Sequence, residues 1–163
     1  VSGPVPVHPA LGPLAALVGT WRGEGEGAYP TIQPFRYREE VTFQHDGRPV
    51  LAYHQRTWRI DTDTPMHTEA GYLRSPSDGH AELVIAQPTG FTEVATFTVD
   101  TSDAAVQLDG DRAPLGRTPS AKPVEDVRRR LRIEGDVLQL DLWMTFAGHQ
   151  DTHHLRAVLQ RAH

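Results

Sequence analysis

Gly19-Thr20-Trp21-Arg22-Gly23-Glu24-Gly25-Glu26-Gly27, followed by Tyr29-Pro30-Thr31-Ile32, is the stretch that decides the fold of this chain. Successive side chains of a strand point to opposite sides, so an extended segment places Gly19, Gly23, Gly25 and Gly27 on one face. Glycine in a strand costs conformational entropy and contributes no packing. Four on one face therefore mark a sharply bent strand, or the close approach of another backbone or a ligand. A small closed barrel begins in this way.

The segments that follow also read as strands. From Phe35 to Phe43, the residues Phe35, Tyr37, Val41 and Phe43 share a face with Glu39, which needs a partner if it is buried. Further strands are predicted from Val50 to Ile60, Met66 to Arg74, His80 to Gln87, Phe91 to Val99, Ala104 to Asp109, Val124 to Ile133, Val137 to Phe146 and His153 to Gln160. Turn signals such as Asp46-Gly47-Arg48-Pro49, Ser75-Pro76-Ser77-Asp78-Gly79 and Glu134-Gly135-Asp136 separate them. About ten short strands at this spacing indicate an all-β sandwich or barrel. The short loops favour sequential hairpins, and hence an antiparallel up-and-down barrel over residues 1–163 as one domain.

Two segments break the pattern. Between His8 and Val18, Leu11, Leu14, Leu17 and Val18 recur at helical spacing, while Gly12 and Pro13 limit the helix to a turn or two. This is a plug or lid for the barrel. Asp111 to Pro123, with Pro114, Gly116, Pro119 and Pro123, is expected to be the longest irregular segment and carries Lys122 near its end.

Composition excludes several classes. The chain has 163 residues, enough to bury roughly 70% of the surface exposed when unfolded. It has no cysteine, which removes disulfides, zinc-cysteine sites, thiolate-ligated haem and a cysteine nucleophile. A net charge of -5 gives no footprint for nucleic acid. The run Arg128-Arg129-Arg130 with Arg132 reads as the polar side of a strand. No basic-then-apolar leader opens the sequence, and nothing approaches the ~20 apolar residues of a membrane span. A soluble, cytoplasmic protein is expected.

Chemistry concentrates near the C-terminus, where His149, Asp151, His153 and His154 crowd together. On a strand His153 and His154 point to opposite faces, so one ion does not take both without a bulge. Leu155, Ala157 and Leu159 share one face, and His154 falls on the other with Arg156 and Val158. His154 then reads as a solvated histidine, a polar pocket lining, or a residue re-aimed by a bulge. Leu140, Leu142, Met144 and Phe146 share a face that suits either core filling or a flat apolar cofactor. No Gly-x-Ser-x-Gly elbow, P-loop, Rossmann fingerprint or His-Glu-x-x-His motif occurs.

Taken together, Gly19-Thr20-Trp21-Arg22-Gly23-Glu24-Gly25, Tyr29-Pro30-Thr31-Ile32, Gln55-Arg56-Thr57-Trp58, Pro65 to Arg74 and His154-Leu155-Arg156-Ala157-Val158-Leu159 resemble the nitrobindin family, in order from about Leu14 to Arg161. The resemblance implies a ten-stranded barrel, similar to fatty-acid-binding proteins and lipocalins, with ferric haem b held near its open end by one histidine. By motif that histidine is His154, with His153 its neighbour. It further implies Thr31 and Lys122 as haem contacts, Phe35, Met66, His67 and Met144 as cavity lining, and a distal role for His67. The family departs from this chain after Gly148, where His149-Gln150-Asp151-Thr152-His153 is more polar, which brings in His149 and His153 as alternative ligands. The implied function is isomerisation of peroxynitrite to nitrate, with reversible binding of nitric oxide. The alternatives are an apolar-ligand carrier and a haem-based nitric oxide sensor or store. Barrel faces of this kind can also pair as a homodimer.

Overall fold

The computed structural model describes residues 3–102 and 104–163. A 3₁₀ helix, Pro9–Leu17, precedes eleven strands: β1 (Gly19–Tyr29), β2 (Ile32–Gln44), β3 (Leu51–Arg59), β4 (Pro65–Arg74), β5 (His80–Gln87), β6 (Phe91–Asp100), β7 (Ala105–Gly110), β8 (Ala113–Arg117), β9 (Asp126–Glu134), β10 (Val137–Phe146) and β11 (His149–Arg161). Each hydrogen-bonds antiparallel to its neighbours, and the pairings of β1 with β11 and β10 with β9 close the barrel. Closure removes the exposed sheet edges that would otherwise invite aggregation.

Ten strands form the closed circuit, as the alternating pattern predicts, and β8 is an addition. It lies inside the segment expected to be irregular. β7 pairs with the last residues of β6 and the second half of β9, whereas β8 pairs with Phe91 to Glu93 of β6 and the start of β9. One strand position is thus shared by two short pieces. Pro114 and Gly116 disguise β8; a Cβ at Gly116 would stand 2.3 Å from Thr92 Oγ1, so a larger residue there makes that hydroxyl turn away.

The glycine face of β1 points inward, and its partners on β2 explain it. Gly25 lies opposite Tyr37 and Gly27 opposite Phe35. A Cβ on either would fall 2.3 Å from the partner's ring, so the aromatic rings of β2 lie directly over the glycines. Gly23 serves close backbone approach, with a Cβ 2.2 Å from the Val158 carbonyl oxygen of β11.

The 3₁₀ helix is the expected plug. Leu11, Leu14 and Leu17 recur every third residue, the period of a 3₁₀ helix, and all three are buried with Trp21 and Phe43. Gly12, at φ 51°, supplies the kink that keeps this face on the barrel. Trp21 Nε1 donates to the Leu17 carbonyl (2.8 Å), and Arg161 donates to the carbonyls of Ala16 and Val18 while lying over the Trp21 ring. The plug enters beside the Gly19–Phe43 pair, so this end is closed and the opposite end, at Gly27 and Phe35, is open. Among the described residues no helix is long and apolar enough to cross a membrane.

Candidate functional site

Every break in strand register lies at the open end: between Gly27 and Tyr29 on β1, between Thr57 and Trp58 on β3, and at Leu142/Trp143 and Met144/Phe146 on β10. Bulges re-aim side chains. Leu142 pairs with Leu155 and Trp143 with His153, which leaves His154 as the extra residue of β11. Facing it, Ala28 of β1 stands opposite two residues of β2, Gln33 and Pro34, so the extra residue of that bulge belongs to β2.

The β11 bulge decides between the two histidines. His153 stays on the outer wall, where its Nε2 bonds Asp141 Oδ1 at 2.8 Å and its ring meets Trp143 edge-on. His154 turns into the barrel mouth. Its Nδ1 donates to the Ala28 carbonyl at 3.0 Å, which fixes the tautomer and presents Nε2 with its lone pair to the cavity. Burial lowers the His154 pKa, only partly opposed by the bond to Ala28, so the neutral ring that a metal requires is favoured. Edge-on contacts with Tyr29 and Phe35 hold the ring from two sides. Tyr29 in turn places its hydroxyl 3.1–3.2 Å from the carbonyls of Met144, Phe146 and His149, tying β1 to the β10–β11 hairpin.

The ring lines a cavity of about 470 Å³. Of the residues expected there, Phe35, Met66, His67, Lys122, Met144 and His154 all reach its wall. Thr31 does not: it stands exposed on the turn between β1 and β2. His149 packs edge-on against Tyr29 and is likewise outside the wall. Phe91, Val124 and Val127 form a second small core with Met144 and Phe146, which makes one flank of the cavity apolar.

The opposite flank is charged, and here the reading of the arginine run needs correction. Arg128, Arg130 and Arg132 alternate with inward-facing Val127, Arg129, Leu131 and Ile133, so Arg129 points into the barrel. It donates to both oxygens of Glu69 and both of Glu93 at 2.8–3.1 Å. Period-two counting from Val127 would have found it. Tyr53 Oη donates to Glu69 at 2.6 Å, and His67 Nε2 lies 3.3 Å from the other Glu69 oxygen. Burial pushes the Glu69 carboxyl up, but the Arg129 charge and the bonds from His67, Arg129 and Tyr53 prevail and hold it at about 2. Glu39 finds the partner that its position demands: Gln55 Nε2 donates to it at 2.8 Å.

Residues 10–161 match the family described as the THAP4-like, heme-binding beta-barrel domain. The chain belongs to this nitrobindin family. It is 46% identical to a peroxynitrite isomerase of Nocardia farcinica over 96% of this chain and 94% of that protein. It is 41% identical to "Peroxynitrite isomerase Rv2717c" of Arabidopsis thaliana, covering 96% and 91% of the two chains. The crystal structure of Rv2717c from M. tuberculosis superposes with a TM-score of 0.92 at 41% identity, over 97% of this chain and all of that one.

The cavity suits a haem. Its volume falls in the ~300–1,000 Å³ range of small-molecule sites. One neutral imidazole nitrogen without a partner among the described residues faces it, with apolar rings and methionines around and a lysine at the rim. His154 would hold the iron, and Lys122 would offer its ammonium to a propionate.

Proposed function

We propose that this chain is a peroxynitrite isomerase that holds ferric haem b through His154 and also binds nitric oxide reversibly. The observation that carries this reading is the re-aimed His154, with Nδ1 engaged by Ala28 and Nε2 free toward the cavity. When bound, haem would supply the iron chemistry by which peroxynitrite is isomerised to nitrate. The chain's own residues do the rest. Ala28 and Tyr29 fix the orientation of the His154 ring, and Phe35, Met66 and Met144 exclude bulk water from one side of the cavity. His67, anchored on Glu69, offers a polar group to a bound anion.

The apolar-carrier reading finds less support. The cavity wall carries Gln55, Thr57, Glu69 and Arg129 among its apolar residues. Arg129 is occupied on its hydrogen-bonding edges by Glu69 and Glu93, so it is not free to receive a fatty-acid carboxylate. For the expected homodimer, Tyr72, Val84 and Val94 are adjacent across β4, β5 and β6 and are exposed on the outer wall.

The test is peroxynitrite decay followed by stopped flow, with nitrate and nitrite yields, for haem-loaded chain and for His154→Ala. Faster decay with nitrate as the dominant product, lost in the variant, supports the enzyme. Nitric oxide binding without accelerated decay leaves the sensor or store instead.

A further inference from the structure

Beneath the ligand cavity lies a smaller chamber of about 40 Å³. Tyr37, Gln55, Arg129, Leu142 and Leu155 line both spaces, so the two adjoin. Glu39 and Tyr53 face the small chamber and do not reach the ligand cavity.

Its polar groups divide into two kinds. Tyr53 and Arg129 are satisfied by the carboxylates already described. Gln55 is not: its Nε2 serves Glu39, while its Oε1 is buried with no hydrogen-bond partner. Turning the amide over exchanges the orphaned atom without removing the orphan. Beyond the Gln55 bond, neither the Glu39 carboxyl nor Tyr37 Oη has a partner among the described residues. A buried polar group left unsatisfied is costly, and a polar void of this size has room for roughly three waters at ~10–15 Å³ each.

We propose that the chamber is a built water site, in which bound water bridges Tyr37 Oη, the Glu39 carboxyl and Gln55 Oε1, and through which Glu39 exchanges a proton with the cavity above. In the acid form Glu39 donates to the water, which donates to Gln55. When a proton is drawn into the cavity, the Glu39 O–H bond breaks and its proton passes to the water. The water gives up one of its own protons toward the cavity, and the reverse transfer restores the start. Net proton count is unchanged over the cycle, as an isomerisation requires.

The charge around Glu39 fits this duty. No ionisable group faces it from β1, where Gly23 and Gly25 stand. Tyr37 lies on its own strand, Tyr53 and Gln55 on β3, His67 and Glu69 on β4, Arg129 and Arg130 on β9 and Asp141 on β10. Burial is the largest influence and Glu69 adds to it, while the Gln55 bond, Arg129 and His67 oppose; the carboxyl is pushed up to about 7. A proton can therefore leave or return near neutrality.

Infrared spectroscopy of the full chain tests this without added haem, so a failed haem titration would leave the result intact. A buried carboxylic-acid C=O band, absent in Glu39→Gln, should lose intensity roughly ten-fold between pH 6 and pH 8 for a midpoint near 7. At pH 6 it should shift within seconds of transfer to D2O, and Tyr37→Phe should change its frequency. Should Glu39→Gln fail to fold, the wild-type deuterium shift and the Tyr37→Phe change decide the matter. A band that keeps its position for hours in D2O, or that is unchanged in Tyr37→Phe, means a dry chamber and overturns the proposal. So does the absence of a protonated carboxyl at pH 6.

Discussion

The two ends of the barrel are built from the same strands under different rules. At the closed end Gly19 pairs with Phe43 in unbroken register, and Leu11, Leu14, Leu17 and Trp21 are buried completely or nearly so. At the open end the strands lose register at four places, Asp151 and Ala147 adopt positive φ, and charged groups enter the interior. Regular pairing maximises apolar burial but leaves every side chain where alternation puts it. Bulges sacrifice ladder hydrogen bonds to place one side chain elsewhere. Unbroken apolar packing is thus concentrated at one end, and the candidate site with its buried charges at the other.

That division can be broken by substitutions at either end. The largest loss should come from Arg129→Ala, which strands Glu69 and Glu93 as buried, unpaired carboxylates; about 3–5 kcal/mol is expected by denaturant unfolding. Trp21→Ala at the closed end should cost about 3–5 kcal/mol by cavity formation, yet leave ligand affinity of the folded fraction unchanged. If affinity falls with it, the two ends are coupled and the division fails.

Two of the buried carboxylates, Glu39 and Glu69, should respond to pH in opposite senses. Glu39 is raised from 4.5 to about 7, so the folded state holds its proton more tightly than the unfolded chain. Its contribution is complete below about pH 4.5 and disappears as pH rises through 7, a change on the order of 3 kcal/mol. Glu69, lowered to about 2, contributes above about pH 4.5 and loses that contribution as pH falls through 2. Urea midpoints measured from pH 4.5 to 8 should fall for the wild type and stay flatter for Glu39→Gln. The smallest effect is expected from Tyr29→Phe, about 1 kcal/mol for the hydroxyl's lost bonds to the hairpin. It should nonetheless disturb the His154 site more than Trp21→Ala does.

The sequence exposes the closed end far better than the open one. Period-two alternation marks all ten strands of the circuit, and His80–Gln87 and Val137–Phe146 have the boundaries that alternation predicts. The plug is legible because Leu11, Leu14 and Leu17 repeat every third residue. Bulges have no such signature. An inserted residue shifts the phase of one strand against its neighbour, and a single chain shows only its own phase; alternation alone therefore put His154 on the outer face with Arg156. Its place in the cavity came from the family motif, not from the pattern. Arg129 is the converse case, since its phase was visible but three neighbouring arginines masked it. β8 was hidden by Pro114 and Gly116, which a strand tolerates here because it is short and spans a gap.

The β11 bulge that turns His154 onto the Ala28 carbonyl is the central claim, and a visible titration with ferric haem tests it most directly. Wild type, His154→Ala and His153→Ala are compared under identical conditions. A saturable Soret band retained in His153→Ala and lost or displaced in His154→Ala is the predicted result. A band that survives in His154→Ala but disappears in His153→Ala would show that the outer histidine binds the iron, and would contradict the account.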